Sequence, residues 1–441
     1  MFAVAAGRTR RDRYDRVAMA APIPLTLLSD SASIKDDGRL AVAGCDVGDL
    51  VEQFGSPLFI YDEEHLRARC RTAADAFDGN AYYATKAFLC TAMAALAHEE
   101  GMRFDVSTGG ELFVTLRAGV PADQMVMHGN NKSIRELSEA LTAGVERIVV
   151  DSFDELDRLT QLHAEGFDPA PILLRVTPGI EAHTHEYLTT GADDSKFGFT
   201  VSSGAAAEAV RRAEASPAVE LLGFHAHIGS QVFRIDSFRA AVKEVTSFSV
   251  PFGLPDLSLG GGLGVAYVAG ESAPTIDEWA SAIGDGCDAG GVTARVMVEP
   301  GRAMVAAAAL TAYRVGTIKD LPGIRTYLAV DGGMSDNPRP VLYGSGYETF
   351  LPRAPLAERD LRVRVVGKHC ESGDVLIREG FVPGDVAVGD VLATPVTGAY
   401  GHSMGSNYNK VLRPAAVFVR DGRSRLVVRR DTYEDLIRND V

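Results

Sequence analysis

The sequence predicts an α/β protein: a (β/α)8 TIM barrel over residues 57–305, flanked by a β-rich barrel or sandwich domain formed from both termini, residues 25–56 and 306–441. Three observations predict it. A strand–corner–helix pattern recurs eight times, reactive residues gather where those strands end, and after about residue 310 the pattern gives way to short strands.

The strand candidates are AYYATKA from Ala81, RFDVST from Arg103, QMVMHGN from Gln124, RIVVDS from Arg147, ILLRVTP from Ile172, LLGFHAHIGS from Leu221, DLSLGGG from Asp256 and RVMVEPG from Arg295. Amphipathic helical patterns lie between them. Three open with a capping-box pair: Ser133 with Glu136, Ser152 with Glu155, and Thr275 with Glu278. In that motif each side chain satisfies the other residue's free backbone amide. Strands alternating with helices form parallel sheets, and eight such units favour a closed barrel over an open sheet.

Beyond the barrel, LRVRVVGKHC, GDVLATPV and AAVFVRDGRSRLVVR read as strands, the last folded back at Asp421-Gly422. Residues 25–56 hold similar short segments, with a turn at Asp37-Gly38. Residues 1–24 carry five arginines without the apolar core or cleavage site of a signal peptide. They are expected to be a disordered extension, with Met19 an alternative start. The length of 441 residues suits two domains, and 46% hydrophobic residues supply a large core. A net charge of −15 argues against nucleic acid or an anionic membrane as partner. No apolar run reaches the ~18 residues a membrane helix needs. The five cysteines are scattered, with neither a disulfide framework nor zinc-ligand spacing, so a cytoplasmic protein is expected.

Barrels of this kind place their active sites at the C-terminal ends of the strands. There the sequence puts Lys86, Asp105, His128 with Asn130 and Asn131, Arg175, His227, Gly260–Gly264 and Glu299–Arg302. A lysine in a barrel mouth with a depressed pKa suits Schiff-base chemistry, whereas the bland alternative is a surface lysine at a strand end. LGGGLG ends strand seven and EPGR ends strand eight, where barrels commonly bind phosphate through converging backbone amides. Ser230 and Tyr400 are candidate hydroxyl donors to the same phosphate. His225 and His227 share a face of strand six, which leaves a rival open. An HxH pair can hold zinc in a barrel hydrolase, with His183, His185 and Glu186 as further ligands. Both histidines can equally be packed, hydrogen-bonded barrel residues. A non-catalytic carrier of a phosphorylated aldehyde cofactor is a third class; it needs no proton donor or substrate clamp.

Taken in order, YYATKA, GMRFDVSTGGEL, HGNNKS, TPGIEAHTHEYLTTGADDSKFGF, GFHAHIGSQ, EPGRA, DGGMSDNPRPVLYG, CESGD and GAYGHSMGSNYN resemble the fold-type III pyridoxal-phosphate decarboxylases, and among them the diaminopimelate decarboxylase family. The resemblance covers about residues 40 to 430. It implies pyridoxal 5′-phosphate as cofactor, held by Lys86 with His227 stacked on its ring, and no metal. Asp105, Ser230, Gly261, Gly262, Gly301, Arg302 and Tyr400 match cofactor contacts, and Glu299 matches the partner of the pyridine nitrogen. Arg302, Arg339, Tyr343, Glu371 and Tyr400 match substrate contacts, and Cys370 matches the proton donor. The resemblance further implies a homodimer with shared active sites, Cys370 and Glu371 serving the partner's site. One departure stands after Tyr400, where Gly401-His402 replaces the expected Cys-Tyr.

The implied activity is decarboxylation of meso-2,6-diaminopimelate to L-lysine and CO2. A carboxylate at Glu299 would keep the pyridine nitrogen protonated and favour decarboxylation, where an arginine would suit racemisation. Arg302, Arg339 and Glu371 supply two guanidinium forks and an acid, a set that fits a distal carboxylate and a distal ammonium. The alternative is a decarboxylase of ornithine, arginine or lysine type, whose substrates lack the distal carboxylate.

Overall fold

A computed structural model of the chain describes residues 21–179 and 194–441. It divides into two compact units. One spans Leu66–Val265 and Ser272–Val305; the other comprises the described residues up to His65, Ala266–Glu271, and the chain from Ala306 onward.

The first unit is the barrel. Its parallel strands are Tyr82–Ala84, Arg103–Val106, Met125–Met127, Arg147–Val150, Ala170–Thr177, Val219–His225, Asp256–Ser258 and Arg295–Met297, each paired with the next in chain order. All eight coincide with the segments the sequence pattern selects. The barrel closes where Tyr82 N donates to Val298 O at 2.7 Å and Val298 N donates to Asn80 O at 3.1 Å. A two-residue strand, Phe199–Thr200, adds a ninth partner on the fifth. Tyr82, Val126, Val149, Leu173 and Met297 fill the interior as one buried cluster.

The strand starts carry a dense polar network. The Tyr82 hydroxyl donates to Glu146 at 2.6 Å, and Arg103 and Arg295 reach the same carboxylate at 3.0 and 2.7 Å. Arg147 and Arg295 hold Asp256 at 2.8 and 3.0 Å. This network ties up the charges of Arg103, Glu146, Arg147, Asp256 and Arg295 at the end of the barrel opposite the one that carries chemistry in such folds.

Two of the expected capping boxes form in full, at Ser133–Glu136 and Thr275–Glu278. At Ser152 only half forms: its hydroxyl accepts from Glu155 N, but the Glu155 carboxylate turns away. It lies 2.8 Å from Lys132 Nζ and accepts from Asp151 N at 3.0 Å. Lys132, fully buried, spends its other donors on the carbonyls of Gly129 and Val149, at 2.6 and 2.8 Å. A buried ammonium outbids a terminal helix amide for a carboxylate, because leaving it unpaired costs several kcal/mol, on the order of 3–5.

The second unit is built on an eight-stranded mixed sheet. Its order is Val375–Val382, Leu361–Val366, Arg325–Val330, Ala309–Leu321, Leu58–Asp62, Ala415–Arg420, Arg423–Val428, with Val391–Pro395 also paired to Ala309–Leu321. The Asp421-Gly422 turn forms as expected, both residues having positive φ (50° and 70°). A small three-stranded sheet covers Ala32–Ile34, Leu40–Val42 and Cys45–Asp46.

Two boundaries differ from the sequence reading. Leu58–Asp62, expected inside the barrel from residue 57, lies in this mixed sheet, antiparallel to Ala309–Leu321 and parallel to Ala415–Arg420. A buried apolar run followed by a helix looks like one more βα unit, and nothing local reveals that its partners come hundreds of residues later. Residues 21–24, expected in the extension, are anchored: Ile23 is buried and the Ala21 carbonyl accepts from Arg359 Nε at 3.0 Å.

Candidate active site

The C-terminal ends of the barrel strands bring the predicted residues together. Lys86 sits in the 3-10 turn Thr85–Ala87 directly after the first strand. Its amine is half exposed and lies 3.2 Å from Asp105 Oδ2, on a fully buried carboxylate at the end of strand two. The other oxygen, Asp105 Oδ1, is 3.8 Å from His128 Nε2. His128 in turn stands 3.3 Å from Glu299 Oε1. A chain of titratable groups thus runs from the amine to the carboxylate after strand eight.

Glu299 is buried and held from several sides. Ser258 Oγ donates to Oε1 at 2.6 Å and His225 Nε2 meets Oε2 at 3.0 Å. Burial by itself raises the proton affinity of this carboxylate, but the facing imidazoles of His128 and His225 outweigh it and hold the group well below the usual range. His225 moves the other way from an ordinary histidine, lowered chiefly by burial although Glu299 opposes the change. Arg175, buried at the end of strand five, lies 3.7 Å from Asp151 and rests over the Phe197 ring at 4.2 Å.

His227 is the second half of the HxH pair, yet its partner is different. Its Nδ1 accepts from Gly261 N at 3.1 Å. Burial, then the positive charges of Lys86 and Arg175, keep it well below 6.5, so a neutral ring carries its proton on Nε2. The pair therefore splits, one ring to Glu299 and one to the glycine loop. The further zinc ligands His183, His185 and Glu186 lie outside the described residues. His128, His225 and Glu299 do bring ring nitrogens and carboxylate oxygens within 4.8 Å of one another, with His225 hydrogen-bonded to Glu299 and His128 standing off at 3.3 Å.

Gly260–Gly262 and Gly301 pack backbone to backbone. A Cβ on Gly261 would lie 2.2 Å from the Glu299 carbonyl, and one on Gly262, with φ +111°, 2.5 Å from that of Gly229. Only glycine closes these loops. Arg302, buried, donates through Nη2 to Ser230 Oγ at 2.9 Å, adding a guanidinium and a hydroxyl beside them. Asn130 and Asn131, expected at this rim, are exposed to solvent.

The remaining predicted residues belong to the β unit. Arg339 is buried, donates to the Tyr347 hydroxyl at 2.5 Å and lies 4.2 Å over the Tyr267 ring. Tyr343 closes the same short helix, Arg339–Tyr343. Cys370 and Glu371 are exposed on a loop with a rigid base. His369 Nε2 meets Ser335 Oγ at 2.8 Å, and Asp374 accepts the amides of His369 and Met334 at 2.9 and 2.7 Å. Tyr400 adopts a positive φ of 61°.

The departure at Gly401-His402 has a local explanation. A Cβ on Gly401 would sit 3.1 Å from the Phe59 ring, and His402 packs edge-on against that ring at 5.7 Å. Burial and the nearby Arg413 lower His402 from 6.5 to about 4. Because the folded value is depressed, the unfolded chain binds the extra proton as pH falls, and stability drains away between pH 6.5 and 4. The full interval corresponds to about 3 kcal/mol. Urea titrations over that range should show the loss, and His402→Phe, which keeps the ring packing, should flatten the His402 share of it.

Sequence reading missed Ser258 and the role of His225 as partners of Glu299. The signal for Ser258 was its parity: Asp256 and Ser258 alternate with Leu257 on a strand whose every residue is buried. A buried hydroxyl needs a partner, and Glu299 on the neighbouring strand end is the one within reach.

Comparison with known proteins accords with this geometry. The family model "Pyridoxal-dependent decarboxylase, pyridoxal binding domain" matches residues 63–306. Diaminopimelate decarboxylase of Mycobacterium tuberculosis (strain H37Rv) is 44% identical over 91% of this chain and 94% of its own length. That of Bacillus subtilis is 42% identical over 92% and 95%. The crystal structure of diaminopimelate decarboxylase from M. jannaschii in co-complex with L-lysine superposes with a TM-score of 0.86 at 33% identity, covering 94% of this chain and 98% of that one. On extent and identity alike, the chain belongs to the pyridoxal-dependent decarboxylases and, within them, to the diaminopimelate decarboxylase family.

Proposed function

We propose that the protein decarboxylates meso-2,6-diaminopimelate to L-lysine and CO2, using pyridoxal 5′-phosphate bound in the barrel mouth. The observation that carries this is Glu299, a buried carboxylate held ionised across the mouth from the Lys86–Asp105 pair. The residues fit the cofactor: an accessible amine, a neutral imidazole, a carboxylate, and a glycine cradle with Ser230 and Arg302 beside it. When bound, the cofactor supplies an electron sink for the pair left behind by departing CO2.

The protein's own groups divide the work. Lys86 holds the cofactor through its amine, with Asp105 orienting that amine. His227 offers an uncharged ring face, its orientation fixed by Gly261 N. Gly261, Gly262, Gly301, Ser230, Arg302 and Tyr400 would take the phosphate, and Glu299 would pair with the pyridine nitrogen. For the substrate, carboxylate recognition falls to Arg302 and Arg339, the distal ammonium to Glu371, and hydroxyl contacts to Tyr343 and Tyr400. Cys370 returns a proton to the α-carbon. The exposure of Cys370 and Glu371 on a stiff loop supports a homodimer in which each subunit lends them to the other's site. The cytoplasm is the proposed compartment, supported by scattered cysteines whose spacing gives no disulfide framework. No helix among the described residues is long and apolar enough to cross a membrane.

CO2 release from meso-diaminopimelate, lysine, ornithine and arginine tests the assignment. Release from diaminopimelate alone is expected, because a site with buried partners for a distal carboxylate rejects analogues lacking it by roughly 10⁴-fold. Faster release from ornithine or arginine would overturn the substrate.

A further inference from the structure

Glu299 is surrounded in an unusual way for an anion. A carboxylate offers about four lone-pair sites. Ser258 occupies one on Oε1 at 2.6 Å and His225 one on Oε2 at 3.0 Å, while His128 Nε2 stands off at 3.3 Å. Room is left for one further donor. Ser258 Oγ accepts from Gly260 N at 3.4 Å, so its own proton is free to point at Glu299. His225 Nδ1 is buried with no hydrogen-bond partner among the described residues. A proton there would be an unsatisfied N–H, and a charged one if Nε2 also kept its own, at a cost of about 1–3 kcal/mol or more. The proton therefore sits on Nε2, and His225 donates to Glu299 as a neutral ring.

Neither close donor thus cancels the carboxylate's charge. A fixed cation in their place would consume that charge; two neutral dipoles stabilise it and leave it available to a cation that arrives. The other groups facing this cluster are His128 from strand three and Arg175 from strand five, with Asp105 and Lys86 beyond His128. Ser258 also ties the arrangement to the glycine loop, since the amide it accepts belongs to Gly260.

We propose that Ser258 and His225 are positioning residues that hold Glu299 as an anion aimed at the pyridine nitrogen, and that this pair decides whether that nitrogen carries a proton. The inference rests on the reading of Glu299 as the nitrogen's partner. Without the two donors, the buried carboxylate keeps only His128 at 3.3 Å, and burial pushes it toward holding the proton itself.

The test uses holoenzyme reconstituted with pyridine-15N-labelled pyridoxal phosphate and reads the nitrogen chemical shift, which separates pyridinium from neutral pyridine without reference to turnover. Wild type should give the pyridinium position. The Ser258→Ala, His225→Phe double variant should move to the neutral position, while Ser258→Thr, which restores a hydroxyl donor, should stay with wild type. Glu299→Gln should also move to neutral. If it moves and the double variant does not, Glu299 suffices alone and the proposal falls. If Glu299→Gln itself keeps the pyridinium shift, the underlying reading of Glu299 has failed, and the proposal with it. Should the double variant not bind cofactor, Ser258→Ala alone decides: a partial displacement supports the clamp and an unchanged shift refutes it.

Discussion

Lys86→Ala should leave a folded protein with no visible chromophore and activity lower by at least about four orders of magnitude. Decarboxylation without a cofactor is slow, and enzymes of this kind supply accelerations of ~10⁶-fold or more. The substitution removes the amine proposed to hold the cofactor while sparing the glycine loops, Glu299 and His227. Asp105 bears the local cost, because its Oδ2 loses a partner 3.2 Å away. The amine is half exposed, so the truncation opens no core cavity and thermal stability should change little. Borohydride reduction of wild type followed by peptide mapping completes the test: the label should fall on Lys86. Label on another lysine would refute the assignment.

The second large effect concerns Cys370. If Cys370 returns a proton to the α-carbon as proposed, its replacement by Ala should lower kcat by about 10²–10⁴-fold, the range for a lost general acid. The thiol is exposed and contributes nothing to the core, so the fold should survive. Mixing makes the prediction sharper. Lys86→Ala and Cys370→Ala proteins should each be nearly inactive, yet a random mixture that exchanges subunits should regain roughly a quarter of wild-type activity. In the proposed dimer half the pairs are then mixed, and each has one site with both defects and one with neither. If every site were made within one chain, each would keep a defect and mixing would restore nothing.

Much of this was readable in the residues. The eight barrel strands follow from runs such as RIVV and RVMV, because a strand buried on both faces must be continuously apolar. Lys86, Asp105, His227, Glu299 and Arg302 could be placed because strand ends in a barrel share one face. What escaped was partnership. Glu155 looks like the third residue of a capping box, and only the fold reveals that buried Lys132 claims it. His225 and His227 look like a pair, and only the loop geometry sends one ring to Glu299 and the other to Gly261. Asn130 and Asn131 sit where polar residues often serve a site, and both are exposed to solvent. Local pattern specifies elements and parity; which of several competing donors a buried acceptor takes is decided by packing across the chain.

The strand Leu58–Asp62 also bears on how the polypeptide is made. All five of its residues are buried, and it is flanked by Ala309–Leu321 on one side and Ala415–Arg420 on the other. A ribosome adding ~5–20 residues per second needs on the order of tens of seconds to reach the nearer partner. Throughout that interval LFIYD lacks both of its sheet partners, and an apolar run of this kind seeds aggregation when it waits. Early strand and late partners make the final sheet a post-synthetic event, so the yield of folded protein depends on how well that one segment is shielded during translation.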